Sequence, residues 1–252
     1  GSRDYFRDDI EGRNNNALSL NSPGSTLKPF AYAAAFENLN WGPETEILDT
    51  PISFPDGDGT FTPRNPSGNF QGPISVRKAL GNSLNIPAVK TASYVGIPNV
   101  VAEYKKFGIT GLDGGSYGPA VVVGGVDIKL LDVTYAYTVF ANGGVMRGVA
   151  TTLDLPDGNR LLDPVSILQV TRESSGEVLY PLEEDNRVKV QEHRVISEQH
   201  AYMVNDILSD PNAFCITYGC GSLSIGRTWG VKTGTSEPFV NSRGIGETWT
   251  YG

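Results

Sequence analysis

Three short motifs in the sequence contain the residue types that acyl-transfer chemistry uses. Ser25 and Lys28 stand three residues apart in PGSTLKPF, Ser83 and Asn85 form an S-x-N, and Lys232 opens the single K-T-G of the chain. A serine hydroxyl becomes a nucleophile when a nearby base removes its proton, and positions three apart share one helix face. A neutral lysine is such a base, since burial and a neighbouring cation lower the pKa of an amine.

Each motif taken alone has a simpler interpretation. Ser25 by itself is more typical of a helix cap than of a nucleophile, because serine is favoured at helix N-termini. A second S-x-x-K runs from Ser75 to Lys78 and is expected on an exposed helix face, while further S-x-N tripeptides begin at Ser19 and Ser67. The functional interpretation therefore depends on order and context: S-x-x-K at a helix start, then S-x-N at a turn between helices, then K-T-G on a strand.

Helical patterns predict the elements that position these motifs. The predicted helices cover residues 17–39, 74–96, 97–108, 127–144 and 197–210. The proline- and glycine-rich stretch 40–73 is predicted to be a long loop, and in a compact domain such a loop is more often a functional surface than a simple connection.

The second half of the chain has a β-like pattern from about residue 146 to 194. Within it, the sequence SILQVTRESSGEVLYPL predicts a hairpin that turns at Ser174-Ser175-Gly176. The segments 228–237, which contains the K-T-G, and 247–252 are predicted to be strands. The elements together indicate a mixed helix and strand domain.

Composition limits the classes of partner. The 252 residues carry a net charge of −8 and a pI near 4.8, which argues against binding to a nucleic-acid backbone. No apolar run is long enough to span a bilayer, and the first residues do not resemble a signal peptide. We therefore expect any export signal or membrane anchor to lie outside this segment.

Two cysteines, Cys215 and Cys220, are close together in FCITYGCG. A metal clip is disfavoured, because such sites usually need four ligands and His193 and His200 are not arranged to supply the others. A small local disulfide is favoured if the protein is extracytoplasmic, and inert thiols are the alternative. We expect no metal and no cofactor.

Longer blocks of sequence carry a family resemblance. GSRDYF, PGSTLKPFAY, ALGNSLNIPAVKTASYVG, VVGGVDIKLLDVTYAYTVFANGG and VKTGTSEPF together resemble the transpeptidase domain of class A penicillin-binding proteins, in the family's order and over nearly all of residues 1–252. The resemblance implies an α+β fold with helices packed on a five-stranded antiparallel sheet. We expect this segment to lack the first two strands, the last strand and the final helix of that fold.

The resemblance also assigns the catalytic residues. Ser25 is expected to attack the penultimate carbonyl of a D-alanyl-D-alanine peptide and to carry the acyl group, with Lys28 as its base. Ser83 is expected to relay a proton to the leaving group, and Lys232 to supply positive charge near the substrate carboxylate.

The substrate-binding residues follow from the same resemblance. Asn85 is expected to hold the peptide amide of the substrate, and the hydroxyls of Thr233 and Thr235 to bind its carboxylate. The backbone N–H groups of Ser25 and Thr235 are expected to form the oxyanion hole. Gly234 has no side chain, so it is expected to let the substrate backbone approach closely. Ser236 stands where the family often has a second threonine, and it keeps a hydroxyl.

The implied function is a D,D-transpeptidase that cross-links peptidoglycan stem peptides and is the target of β-lactam antibiotics. The alternatives are a D,D-carboxypeptidase, a β-lactamase-like hydrolase or a non-catalytic β-lactam sensor. A class A β-lactamase is disfavoured, because no glutamate occurs in the stretch SLNIPAVKTASYVGIPN after the S-x-N. The resemblance further implies a membrane-anchored protein with an upstream glycosyltransferase domain, at the extracytoplasmic face of a bacterial membrane.

Overall fold

A computed structural model describes residues 4–10, 12–56, 59–180, 188–223, 226, 227 and 229–235. Its α-helices are α1 (Lys28–Leu39), α2 (Val76–Gly81), α3 (Asn85–Val95), α4 (Ile97–Lys106), α5 (Leu130–Ala141), α6 (Glu198–Ser209) and α7 (Cys215–Tyr218). Three short 3-10 helices cover Asp8–Ile10, Gly24–Leu27 and Pro119–Val123. No helix in these ranges is both long and apolar enough to cross a membrane.

The strands are short and antiparallel. They are β1 (Leu20–Asn21), β2 (Glu46–Asp49), β3 (Phe54–Asp56), β4 (Gly59–Phe61), β5 (Gly72–Ser75), β6 (Ile128–Lys129), β7 (Val145–Ala150), β8 (Leu162–Asp163), β9 (Val170–Thr171), β10 (Val178–Tyr180) and β11 (Gln191–Arg194). Strands β11, β7 and β8 form a three-stranded sheet, and the pairs are β1 with β6, β2 with β5, β3 with β4, and β9 with β10. The register places Ile47 opposite Ile74 and His193 opposite Met146.

Helix α1 lies at the centre of the core. Every residue from Lys28 to Phe36 is buried, so the helix is enclosed on all sides by α3, α4 and α6 and by the short helix Pro119–Val123. The alanines at 31 and 33–35 let neighbouring helices approach closely, while the Phe30 ring contacts the rings of Tyr104, Phe107, Tyr137 and Phe140. The N-terminus of α1 is therefore held by a packed core.

The structure confirms the α+β class and most predicted helices, with changes in their bounds. The predicted helix 17–39 begins only at Gly24, because residues before it form a turn and β1. The helical stretch 74–96 forms α2 and α3, and the turn at Asn82–Leu84 confirms the prediction that the S-x-N lies at a turn between helices. The β-rich segment and its hairpin are confirmed by β7 to β11, with residues 174–176 in the turn between β9 and β10.

Two predictions about strands differ from the structure. The stretch 40–73 contains β2 to β5 and is not one long loop. Residues 229–235 carry no strand, because no hydrogen-bonded strand lies beside them within the described ranges; Val231 N instead donates to Leu208 O at the end of α6, at 2.9 Å. The other predicted strand near the end of the sequence, 247–252, lies outside the described residues.

Candidate active site

The turn that carries Ser25 is fixed on both sides. Thr26 Oγ1 donates to Pro23 O at 2.8 Å, and Tyr137 Oη from α5 donates to Thr26 O at 2.8 Å. Gly24 has φ +55° and lies against the backbone of Thr235, so a Cβ there would be 2.2 Å from Thr235 O. Only glycine both adopts this positive φ without strain and leaves room for the backbone of Thr235. The turn and the K-T-G segment are therefore in direct backbone contact.

Lys28 occupies the first turn of α1 and is completely buried. Its Nζ donates to Ser83 O and to Asn85 Oδ1, both at 2.6 Å, and lies 3.4 Å from Ser83 Oγ. Burial, and then the positive charge of Lys232, hold the pKa of Lys28 well below its usual range. In the described structure Lys28 forms no hydrogen bond with Ser25, which lies one turn earlier.

Lys232 lies on the other side of Ser83 and is also buried, with 5% of its surface exposed. Its Nζ donates to Ser83 Oγ and to Thr233 O, both at 2.7 Å. Burial lowers the pKa of Lys232 to about 7. Neither Lys28 nor Lys232 pairs with a carboxylate of the described residues, so the site keeps two amines that are easily deprotonated.

Ser83 is held in a rarely populated backbone conformation, with φ +54°. The tight turn between α2 and α3 imposes it: Ser83 N donates to Leu80 O and Leu84 N to Ala79 O, both at 3.0 Å. Asn82 Nδ2 donates to Ala213 O at 2.6 Å, which anchors the turn to the segment after α6. Such backbone strain is found where the surrounding structure fixes a functional group, and here it holds the Ser83 hydroxyl between the two lysines.

Asn85 connects the site to the stretch 40–73. Its Oδ1 accepts from Lys28, and its Nδ2 donates to Arg64 O at 2.6 Å. The backbone N–H of Asn85 donates to Oδ1 of Asn65, a buried residue whose Nδ2 donates to the Asp49 carboxylate at 2.9 Å. Sequence reasoning missed Asn65, and the only signal for it was the unusual length of the stretch it lies in.

These residues surround one cavity of about 640 Å³. Predicted site residues on its wall are Ser25, Ser83, Asn85, Thr233 and Thr235. The rest of the wall consists of Phe61, Thr62, Pro63, Arg64, Pro66, Val123, Thr217 and Tyr218. Lys28 and Lys232 are buried behind this wall and reach the cavity through Ser83.

Gly234 has a packing role in the structure and is absent from the cavity wall as described. A Cβ at this position would be 2.6 Å from Thr26 Cγ2 and 2.8 Å from Pro23 O. The close approach at Gly234 is thus to the Ser25 turn, a different reason for a glycine from the substrate contact that the sequence predicted.

A short disulfide-closed segment completes the wall beside the K-T-G. Cys215 and Cys220 are bonded, which settles the question that the sequence left open. Within the segment, Thr217 N donates to Asn82 Oδ1 at 2.7 Å, and the hydroxyls of Tyr218 and Thr233 share a hydrogen bond of 2.5 Å. Sequence reasoning did not identify Tyr218, because its contact with Thr233 arises only in the folded chain.

The geometry suits acyl transfer by a serine. Ser25 is half-buried at the cavity wall, and the proton-carrying groups Lys28, Ser83 and Lys232 form a continuous hydrogen-bonded series behind it. No cluster of side chains capable of holding a metal ion is present in the described part of the chain.

Comparisons with known proteins identify the family of the chain. Residues 4–252 match the family model described as penicillin binding protein transpeptidase domain. Penicillin-binding protein 1A of Rickettsia bellii is 29% identical over 247 residues, which cover 91% of this chain and 29% of that protein. Penicillin-binding protein 1C of Escherichia coli is 34% identical over 146 residues, or 57% of this chain and 18% of that protein.

Solved structures share the fold. A penicillin-binding protein 1A from Haemophilus influenzae has a TM-score of 0.65 at 24% identity, covering 90% of this chain and 36% of that one. PonA1 from Mycobacterium tuberculosis, solved in complex with penicillin V, has a TM-score of 0.65 at 20% identity, covering 89% of this chain and 55% of that one. The chain belongs to the penicillin-binding protein transpeptidase family, and it spans less than a third of the length of the curated relatives it matches.

Proposed function

We propose that this domain is a serine D,D-transpeptidase that cross-links peptidoglycan stem peptides through an acyl-enzyme at Ser25 and is inhibited by β-lactams. The observation that carries the proposal is the Ser83 hydroxyl. It lies 2.7 Å from the amine of Lys232 and 3.4 Å from that of Lys28, both buried, in the cavity that Ser25 lines. Membership of the transpeptidase family is separate support for an acyl-transfer role.

Lys28 is suited to be the base for Ser25. A neutral amine has two N–H bonds and one lone pair. The two short hydrogen bonds to Ser83 O and Asn85 Oδ1 use both N–H bonds, so the lone pair remains available to accept the serine proton. The depressed pKa favours the neutral form of this amine. Ser25 Oγ then attacks the carbonyl carbon of the penultimate D-alanine.

Breakdown of the tetrahedral intermediate needs a proton on the leaving amine. Ser83 Oγ–H gives that proton as the C–N bond breaks, and Ser83 then takes from Lys28 the proton that Lys28 removed from Ser25, so both lysines return to their starting states. The products are free D-alanine and an ester on Ser25. An acceptor amine attacks the ester, and the same proton path runs in reverse.

The terminal carboxylate of the donor is expected beside Lys232, with the hydroxyls of Thr233 and Thr235 as donors to it. Oxyanion stabilisation is expected from the N–H groups of Ser25 and Thr235, neither of which has a hydrogen-bond acceptor among the described residues. In other acyl-transfer enzymes, loss of one such donor costs about 10²- to 10³-fold in kcat.

The cavity wall disfavours one hydrolytic alternative. A class A β-lactamase needs a further general base to bring water to the ester, and no aspartate, glutamate or histidine lies among the described residues that line the cavity. This composition argues against a class A β-lactamase at the same site.

The cellular setting is part of the proposal. A disulfide persists in oxidising surroundings, so the Cys215–Cys220 bond supports placement at the extracytoplasmic face of the membrane. The upstream glycosyltransferase domain and the membrane anchor are expected from the resemblance to class A proteins.

The test uses the full-length protein and benzylpenicillin. We expect a covalent adduct in the intact mass spectrum, lost in Ser25→Ala and retained in Ser75→Ala, which alters the second S-x-x-K serine at the start of α2. With a D-Ala-D-Ala pentapeptide and an amine acceptor, the main product should be the cross-linked peptide. Labelling of Ser25→Ala would refute the nucleophile, and labelling without turnover of peptide would indicate a sensor.

A further inference from the structure

The cavity has one exposed positive charge that the proposed reaction does not use. Arg64 is the only charged residue among the described residues on its wall, and its side chain is exposed. Six of the nine described arginines pair with a described carboxylate, namely Arg7, Arg13, Arg77, Arg147, Arg160 and Arg172, whereas Arg64, Arg194 and Arg227 do not, and of these three only Arg64 lies on the cavity wall. Arg64 forms no ion pair with any described residue, although the chain as a whole is acidic.

The backbone of Arg64 is fixed relative to the reacting groups. Arg64 O accepts a hydrogen bond of 2.6 Å from Asn85 Nδ2, and Asn85 Oδ1 in turn accepts from Lys28. Pro63 before it and Asn65 after it are both buried, and Asn65 is held by the Asp49 carboxylate. The guanidinium therefore extends from a backbone position that is held beside Asn85.

A guanidinium in this position selects for a particular ligand chemistry. Its planar fork binds a carboxylate through two parallel hydrogen bonds, and a carboxylate brought by a ligand would supply the ion pair that the chain does not. The terminal carboxylate of a donor peptide is already assigned to Lys232, Thr233 and Thr235. Arg64 lies on the same cavity wall beside Asn85, so a second carboxylate that reaches it must come from the part of the peptide that precedes the two D-alanines.

We infer that Arg64 forms a second carboxylate subsite, which binds a free side-chain or backbone carboxylate located N-terminal to the D-Ala-D-Ala end of the donor peptide. The inference rests on the proposed function, because it presupposes that a D-Ala-D-Ala peptide acylates Ser25. It adds that the enzyme discriminates between donor peptides that carry this carboxylate and those in which it is amidated.

The experiment compares two pentapeptides that end in D-Ala-D-Ala and differ only in one upstream carboxylate, free in one and amidated in the other. The full-length protein is mixed with each, and the second-order rate constant of acylation is measured by quench and intact mass. The acid peptide should react about three- to tenfold faster than the amide, the range expected of one partly exposed charged hydrogen bond. The ratio should shrink in high salt, because an exposed ion pair is screened.

Variants test whether the Arg64 side chain causes the difference in rate between the two peptides. In Arg64→Gln the acid-to-amide ratio should fall to about one, and Arg64→Lys should restore part of it. The matched control is Arg172→Gln, an exposed arginine outside the cavity whose loss should leave the ratio at the wild-type value. A ratio that persists in Arg64→Gln, or a ratio of one in the wild type, would overturn the inference.

Benzylpenicillin labelling distinguishes failure of the Arg64 subsite from failure of the proposed function. Penicillin lacks the upstream carboxylate, so it reports whether Ser25 is reactive independently of Arg64. Labelling of the wild type together with equal rates for the two peptides refutes the subsite alone. Failure of penicillin and of both peptides to acylate refutes the proposed function, and the subsite with it.

Discussion

At the scale of single residues, the site is governed by two amines whose protonation states must differ. Lys28 must be neutral to take the proton of Ser25, whereas Lys232 must be charged to attract the substrate carboxylate. Burial lowers the pKa of both, and the charge of Lys232 lowers that of Lys28 further. The additional effect on the pKa of Lys28 is in the direction that its role as a base requires.

The pH dependence of acylation follows from these states. As pH rises, the second-order rate constant for benzylpenicillin should first increase as Lys28 loses its proton, then decrease as Lys232 loses its own near pH 7. Stopped-flow measurement from pH 4 to 10 would give this bell-shaped profile.

A variant that keeps the positive charge at position 232 tests whether Lys232 causes the decrease of the acylation rate near pH 7. Arginine stays protonated throughout that range, so Lys232→Arg should lose the decrease near pH 7 while keeping the rise at lower pH, whatever its absolute rate. An unchanged falling limb in Lys232→Arg would show that another group causes it.

At the scale of elements, the site depends on two segments in backbone contact, the Ser25 turn and residues 233–235. Gly24 permits that contact, because any Cβ would overlap Thr235 O. We expect Gly24→Ala to displace the K-T-G segment, lower penicillin acylation at least tenfold and cost about 2–4 kcal/mol of the free energy of unfolding.

The chain offers a matched control for this substitution. Gly68 also has a positive φ, +73°, but a Cβ there would have no atom within 4 Å. Gly68→Ala should therefore show only the backbone penalty, about 1 kcal/mol, with acylation unchanged. Equal losses in the two variants, measured by urea unfolding and by labelling, would mean that the contact with Thr235 is not the cause.

Some of these elements could be read from the sequence and others could not. The helices were predictable because their apolar residues recur at helical spacing, and the predicted helices 97–108 and 127–144 also end in glycine. Strands β2 and β5 were not, since β2 pairs with a segment more than twenty residues away and proline and glycine dominate what lies between. The catalytic motifs were identified by resemblance, whereas Arg64, Asn65 and Tyr218 enter the site through contacts between segments distant in sequence, which no local pattern encodes.

At the scale of the whole molecule, a buried ion pair joins the helical core to the β-rich segment. Arg160 donates to Asp132 of α5 and to Gly108 O, both at 2.7 Å, and Asp132 also accepts from Thr110 N at 3.1 Å. Arg160 and Asp132 are both almost completely buried. Removing one partner leaves a buried charge, which costs more than removing both.

A single and a double variant test this junction. Arg160→Met should lower the free energy of unfolding by about 3–5 kcal/mol, and Arg160→Met combined with Asp132→Leu should recover a large part of that loss. Urea denaturation of the wild type and the two variants measures both effects. A double variant no more stable than Arg160→Met would mean that the loss does not come from an uncompensated charge on Asp132.

The disulfide between Cys215 and Cys220 has a consequence for how the protein is produced. It closes the segment that brings Tyr218 to the threonine of the K-T-G and Thr217 to Asn82. Protein recovered from a reducing cytoplasm can therefore be folded and differ in mass by only two hydrogens. It would still lack the bond that closes the segment carrying Thr217 and Tyr218. Oxidative folding is thus part of building the substrate site, and a thiol count should accompany any measured acylation rate.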